Sequence, residues 1–126
     1  MKENNIFFIK EKNNKRYFYC DCKFMKTAND YEIIKAAGIN AFKDFSADNP
    51  APKMILNNWG NTVLPAEKVK DFMHVVLENS NYFTKIAHFT SSEEMMIIFN
   101  LVFSGVKNVN RKLFTGLDEA EKWLIS

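Results

Sequence analysis

Apolar residues recur at two spacings along this chain, and a change of spacing predicts where a strand gives way to a helix. In residues 16–23 apolar and polar side chains alternate, which is typical of a strand. The alternation puts Phe18 and Cys20 on one face and Tyr17 and Tyr19 on the other. It predicts a sheet in which one face is well buried and the other less so.

The same reasoning along the whole chain predicts nine elements in the order β-β-α-β-α-β-α-β-α. The predicted strands cover residues 6–10, 16–23, 53–57, 82–89 and 111–114, and the predicted helices cover 27–45, 65–77, 95–104 and 117–124. The first two strands form a hairpin. Strands and helices then alternate strictly, which indicates parallel pairing through crossover helices. We therefore expect one α/β domain over residues 1–126, with a mixed, mostly parallel sheet.

Polar residues mark the starts of three of these helices. Thr27 and Asn29 are alternative N-caps of the first helix, because each has an acidic residue shortly after it. Residues 91–94, Ser-Ser-Glu-Glu, predict a capping box for the third helix. Thr115 with Asp118 predicts a second capping box, for the last helix.

Composition argues against several classes of partner. Apolar residues make up 47% of 126 positions, and 12 of them are Phe, which is enough for one aromatic-rich core. The net charge of +2 gives no strong field to attract nucleic acid, and only Arg16 and Arg111 could read bases with a guanidinium group. No apolar run approaches the roughly 20 residues of a membrane span. The chain shows no signal peptide, and we expect a cytosolic protein, with the Lys- and Asn-rich composition suggesting a bacterial one.

The residues able to do chemistry form no constellation in sequence. Cys20 and Cys22 lie two apart on a strand, so we expect buried free thiols rather than a disulfide or a metal site. His74 and His88 have no neighbouring nucleophile, and we expect packed or surface histidines. We therefore predict no catalytic residues, no metal and no cofactor. The glycines are too scattered for a phosphate-binding loop.

Two segments resemble a known family. The strand Lys-Ile-Ala-His-Phe at residues 85–89, and the strand and helix of residues 111–124 with their Glu-Ala and Trp-Leu pairs, are similar to those of the STAS-like proteins. That group includes the anti-sigma-factor antagonists, the sulfate-transporter C-terminal domains and their small stand-alone relatives. The resemblance implies a sheet with helices packed mainly on one side. It also implies a protein-interaction or regulatory role rather than an enzyme.

The chain departs from that family at its phosphorylated turn. The antagonists carry a serine after the central strand, whereas residues 57–62 here read Asn-Asn-Trp-Gly-Asn-Thr. Thr62 is the nearest hydroxyl to that position. It is either a phosphorylation site near the positive end of a helix or merely the cap of the helix that begins near Pro65.

The third predicted helix is apolar almost all round, whereas a helix that covers a sheet needs only one apolar stripe. Either neighbouring helices cover it, or one face is left for a partner protein, a second copy or a lipid-like ligand. We predict an interaction surface on this helix and on the turn of residues 58–62, made by Trp59, Met95, Met96, Phe99 and Phe103.

Two functions remain open from the sequence. The leading hypothesis is a non-enzymatic STAS-like interaction or regulatory domain that associates with a protein partner, including itself as a homodimer. The alternative is a small carrier that binds an apolar or amphipathic ligand between the sheet and the helices, in a pocket lined by Phe and Met.

Overall fold

The computed structural model describes residues 6–78, 82–104 and 110–126 and has the predicted order of elements. The strands are β1 (Phe7–Lys12), β2 (Lys15–Asp21), β3 (Met54–Asn58), β4 (Lys85–Phe89) and β5 (Arg111–Phe114). The helices are α1 (Ala28–Phe42), α2 (Ala66–Glu78), α3 (Glu93–Phe103) and α4 (Leu117–Ile125). The expected α/β class is confirmed, although α1 is four residues shorter and β4 three residues shorter than predicted.

The five strands lie in the sheet in chain order. β1 pairs with β2 antiparallel, and the remaining neighbours are parallel. Asn13 and Asn14 form the hairpin turn with φ angles of 54° and 63°. Two successive left-handed residues make the type I′ turn that matches the twist of a hairpin, and Asn tolerates this conformation better than most residues.

The helices cover both faces of the sheet unequally. α1, α2 and α3 each connect two neighbouring parallel strands, and their apolar residues join one core cluster that includes Phe18 and Cys20. Right-handed crossovers that always step in the same direction place all three helices on one face. α4 packs on the opposite face against Tyr17 and Tyr19. The expectation that most helices share one face is confirmed.

The predicted contrast between the two faces of β2 is wrong. Tyr17 is 1% exposed and Tyr19 9%, so this side of the strand is buried as well. The reason is α4, whose Ala120, Leu124 and Ile125 cover these rings.

The predicted cap at Thr27 is confirmed, whereas the box predicted in residues 91–94 is replaced by a single cap at Ser92, because Met95 stands at the position where the box needs an acidic side chain. Thr27 and Asp30 form a reciprocal capping box at α1, and the Ser92 hydroxyl accepts a hydrogen bond from the Met95 amide (3.1 Å) at α3. The predicted box of Thr115 with Asp118 does not form. α4 begins one residue later than that box requires, so Gly116 occupies the N-cap position and makes no side-chain cap bond.

Polar contacts hold α4 against the sheet at its C-terminal end and at its middle. Lys85 Nζ donates to the Trp123 carbonyl (2.8 Å) and to Ser126 Oγ (3.0 Å), so a cation lies at the negative end of the helix. Glu121 accepts hydrogen bonds from Lys12 Nζ (2.7 Å) and from the Tyr17 hydroxyl. Burial, with Glu121 alongside, raises the pKa of Tyr17, so the phenol stays protonated and donates. None of the helices among the described residues has the length and hydropathy to cross a membrane.

Truncating a leucine of α4 tests whether the helix supports the second face. Leu124 is fully buried, so Leu124→Ala should lower the free energy of unfolding by about 2–5 kcal/mol. Leu101→Ala is the matched control, because Leu101 is 67% exposed and its truncation should change stability by less than about 0.5 kcal/mol. Urea unfolding measures both values. Equal effects of the two substitutions would contradict the packing of α4.

Candidate functional site

Internal hydrogen bonds hold the turn that follows β3. Asn58 Nδ2 donates to the Tyr19 hydroxyl (2.5 Å), and Asn58 Oδ1 accepts from the Gly60 amide (3.0 Å). Gly60 has φ +54°, and a Cβ there would lie 2.7 Å from Lys23 Cγ, so glycine is required at this position. The side chain of Asn58 is therefore fully used in shaping the turn.

Trp59 is buried in the core and is not part of a surface. Its indole Nε1 donates to His88 Nδ1 (3.2 Å), and its ring meets Phe72 and Phe99 edge-on, with centroids 4.9 and 5.2 Å away. Its backbone amide donates to the Phe89 carbonyl (2.9 Å). The prediction that Trp59 forms an interaction surface is wrong, because the ring fills the space between the sheet, α2 and α3.

Thr62 does not cap α2. It lies four residues before Ala66, where α2 begins, and its hydroxyl donates to the Lys23 carbonyl (2.5 Å). Thr62 is half-buried. The capping interpretation is therefore wrong, and phosphorylation at Thr62 stays a prediction that would require breaking this hydrogen bond.

Two of the four α3 residues that were predicted to form an interaction surface point into the core. Met95 and Phe99 are fully buried, whereas Met96 and Phe103 are half-buried. Helical spacing that directs positions 95, 99 and 102 into the core directs positions 97 and 101 outward. Ile97 and Leu101 are 63% and 67% exposed and were missed by the sequence analysis, although their spacing of four is a signal for a shared outer face.

His88 is packed in the core. The sequence predicted either a packed or a surface histidine at this position. Its imidazole is fully buried and lies 5.3 and 5.1 Å from the rings of Phe99 and Phe103. Burial, with the Arg111 guanidinium as the smaller cause, lowers the pKa of His88 well below 6.5. The neutral ring is therefore able to accept the Trp59 hydrogen bond at Nδ1. The side chain of His74 lies outside the described residues.

The two cysteines are buried free thiols, as predicted. Cys20 Sγ and Cys22 Sγ lie 3.6 Å apart on the face covered by α1. Burial raises the pKa of Cys22, which keeps that thiol protonated. No cluster of three or more His, Cys, Asp or Glu side chains able to hold a metal occurs in the part of the chain that the structure describes.

A cavity of about 240 Å³ lies between α1 and the sheet. Cys20, Ile55 and Asn57 line it from the sheet. The remaining lining residues come from β1, α1, α2 and the segment before β4: Phe7, Tyr31, Ile34, Lys35, Gly38, Ile39, Phe42, Phe72 and Phe83. The lining is therefore mostly aromatic and aliphatic, with few polar groups.

Gly38 explains why α1 leaves this space. Tyr31, Ile34, Gly38 and Phe42 follow one another at helical spacing along the inner side of α1, and glycine is the only one without a side chain. A Cβ at Gly38 would lie 3.7 Å from the Phe7 ring, which is ordinary contact. Larger side chains would project into the cavity. In the sequence Gly38 simply interrupts the apolar stripe of the first helix, and the gap that it creates appears only when α1 packs on the sheet.

Asn57 is the exceptional residue of the cavity lining. Its side chain is fully buried, and neither Oδ1 nor Nδ2 has a hydrogen-bond partner among the residues that the structure describes. Its neighbour Asn58 points to the other face of the sheet and has partners for both amide atoms. A buried amide without partners costs about 1–3 kcal/mol, so Asn57 marks this cavity as more than a packing defect.

A change of pH tests the buried state of His88. Because its pKa is lowered in the folded protein, the unfolded chain binds a proton first as the pH falls below about 6.5. Stability is therefore full above pH 6.5, and the free energy of unfolding should fall by about 2 kcal/mol between pH 7 and pH 5. Urea unfolding at the two pH values measures this loss.

His88→Phe should remove most of this loss, because the phenylalanine ring has a similar size and does not titrate. Comparing the change between the two pH values within the wild-type protein and within the variant separates titration from the constant cost of losing the Trp59 acceptor. An unchanged pH dependence in His88→Phe would contradict the assignment.

One solved structure has a similar fold over nearly the whole chain. It is the crystal structure of an uncharacterized protein of the DUF3478 family with a SpoIIAA-like fold from Shewanella loihica PV-4. The TM-score is 0.60, and the match covers 94% of this chain and 91% of that chain at 16% sequence identity. No protein-family model and no curated protein matches the chain. This chain therefore has a SpoIIAA-like fold, which confirms the fold implied by the STAS-like resemblance.

Proposed function

We propose that this chain is a non-enzymatic, cytosolic STAS-like domain that binds a small, mostly apolar ligand between α1 and the sheet. The observation that carries the proposal is the cavity built around Gly38, with Asn57 as a buried polar group in its wall. Ligand sites are typically concave and apolar, with a few polar groups that orient the ligand. Of the two functions left open by the sequence, the carrier is the one with a defined site.

The size of the cavity limits the ligand. A cavity of about 150 Å³ lined by aliphatic and aromatic side chains holds benzene. The cavity here, about 240 Å³, therefore has room for a compound of one or two rings or for a short chain. Larger lipids would have to leave most of their length outside.

The composition of the lining favours binding over catalysis. The described lining residues include no carboxylate and no histidine. Lys35 is exposed, and Cys20 is buried beside the second thiol. The Tyr31 hydroxyl is engaged with the Asp71 carbonyl (2.8 Å), so the described lining has no carboxylate–histidine type of acid–base pair beside a bound molecule. Ile39 is 53% exposed, so together with Lys35 it marks where the cavity meets solvent beside α1.

Filling the cavity from Gly38 tests the site. Quinoline is a suitable probe because it is a neutral two-ring compound at pH 7. We expect quinoline to shift the NMR signals of the residues that line the cavity, and Gly38→Leu to weaken this binding by at least about tenfold by occupying the space.

Gly38→Ala is the matched control. It replaces a helix-interior glycine with the best helix former, so it should stabilise α1 by about 0.5–1 kcal/mol while leaving quinoline binding within about threefold. If quinoline and its lactam analogue 2-quinolinone both leave the cavity-lining signals of the wild-type protein unchanged up to their solubility limits, the proposed site is wrong.

A second candidate function is self-association through α3. Ile97 and Leu101 lie one turn apart on the outer side of α3 and are the most exposed of the large apolar residues described. Half-buried Met96 and Phe103 lie on the same helix. We call the outer side of α3, made by Ile97, Leu101, Met96 and Phe103, the α3 seam. This seam supports a homodimer whose contact surface is centred on Ile97 and Leu101 rather than on Met95 and Phe99.

A charge in the seam tests the dimer. If two copies pair through α3, Leu101→Glu should weaken the dimer by at least tenfold, because a buried unpaired carboxylate at an interface is strongly unfavourable. Val63→Glu adds the same charge at an exposed apolar position outside α3 and should leave the dimer intact. Light scattering over a range of concentrations measures both. A wild-type protein that stays monomeric at high concentration would eliminate this candidate.

A further inference from the structure

We propose that the cavity selects flat, neutral ring compounds that carry a hydrogen-bond donor and an acceptor side by side, as a lactam does. This inference deepens the proposed function and depends on the cavity being a binding site. It rests on Asn57, whose amide oxygen and amide nitrogen both lack partners within the described structure while the side chain is fully buried.

The position of Asn57 fixes where the polar end of a ligand must lie. In the sheet Asn57 is paired with Cys20 of β2 on one side and with His88 of β4 on the other, and all three belong to strands covered by the same helices. Asn57 is the described lining residue that offers both an unpaired donor and an unpaired acceptor, because the Tyr31 hydroxyl already donates to the Asp71 carbonyl (2.8 Å) and Cys20 is a weak hydrogen-bonding group. A polar group of the ligand is therefore expected beside β3.

The amide of asparagine has a definite complement. Oδ1 accepts and Nδ2 donates along one planar edge, so a group with an adjacent N–H and C=O can form two parallel hydrogen bonds with it. Proteins use the same edge of asparagine to recognise the donor–acceptor edge of adenine. A ligand with only one of these groups, or with neither, leaves part of a buried amide unpaired and loses affinity.

The walls favour a ring over a flexible chain. Phe7, Phe42, Phe72 and Phe83 approach the cavity from different elements, so a bound ring can contact aromatic faces and edges on several sides. A planar ring also has few torsions to lose on binding. A space of about 240 Å³ fits one or two such rings.

A carboxylate ligand fits this arrangement less well than a neutral one. Inserted head first, the charge would meet Asn57 with one amide donor, whereas the cation of the lining, Lys35, is exposed where the cavity meets solvent. Inserted tail first, a fatty acid would place its apolar end against the unpaired amide. Both orientations leave a buried polar or charged group without adequate partners.

A set of four two-ring compounds separates these alternatives. 2-Quinolinone carries the donor and acceptor together, N-methyl-2-quinolinone lacks the donor, quinoline lacks both the donor and the carbonyl, and 2-naphthoate is an anion. We expect the wild-type protein to bind 2-quinolinone at least tenfold more tightly than each of the other three, measured by calorimetry and by shifts of the cavity-lining NMR signals.

The variant Asn57→Leu has a similar size without the amide. It should bind 2-quinolinone at least tenfold more weakly than the wild-type protein and should bind quinoline as tightly or more tightly. Because the ligand series is measured on the wild-type protein first, the inference remains testable if this variant fails to fold.

The outcomes distinguish the inference from the proposed function. If quinoline, N-methyl-2-quinolinone or 2-naphthoate binds the wild-type cavity as tightly as 2-quinolinone does, the cavity is a ligand site but the selection by Asn57 is wrong. If none of the four compounds shifts the cavity-lining signals, the proposed function itself is wrong.

Discussion

The hydrogen bond from the Trp59 indole to His88 lies where the sheet and the helical layer meet, and much of the structure is arranged around it. The donor follows β3, and the acceptor is on β4. A buried indole N–H needs an acceptor, and burial keeps the imidazole neutral so that it can serve as one. The Trp59 ring also contacts Phe72 of α2 and Phe99 of α3, so a single side chain connects four elements.

This packing accounts for the unusual composition of α3. A helix that must pack against the Trp59 and His88 rings needs large side chains along its inner side, and Met95, Phe99 and Val102 supply them. The apolar surface that α3 leaves exposed to solvent is therefore narrower than the sequence suggested, and it contains Ile97 and Leu101. An all-round apolar helix is thus mostly a consequence of the core beneath it, with only the α3 seam left to explain.

The need to hold the Trp59 ring in the core also determines the structure of the turn after β3. In the STAS-like antagonists that turn carries the phosphorylated serine. Here Asn58 and Thr62 use their polar groups inside the protein, and Gly60 approaches Lys23 too closely for any side chain. The turn is therefore built to hold Trp59 in the core, and the features that suggest a function lie elsewhere, beneath α1.

Local features were predictable from the sequence, and features that depend on distant packing were not. The hairpin at Asn13 and Asn14, the cap at Thr27 and the strand–helix alternation depend on short stretches of chain, and they were predicted. The side of the sheet that α4 occupies was not. α1, α2 and α3 each lead into a parallel strand, so the handedness of the crossover determines their face. No described strand follows α4, so the rule does not apply to it, and the burial of Tyr17 could not be anticipated.

The candidate site escaped prediction for a related reason. Gly38 and Asn57 are 19 positions apart, and neither is unusual in its own segment. Each residue lowers the stability of the folded protein, since a glycine weakens a helix interior and a buried amide without partners destabilises a core. Single substitutions to Ala or Leu would relieve either problem without touching the Trp59 packing. Two independent weaknesses that line one cavity are hard to explain as accidents of folding, because sequences depart from local rules chiefly at functional sites. The arrangement is explained if the space left by Gly38 and the amide of Asn57 serve the same bound molecule.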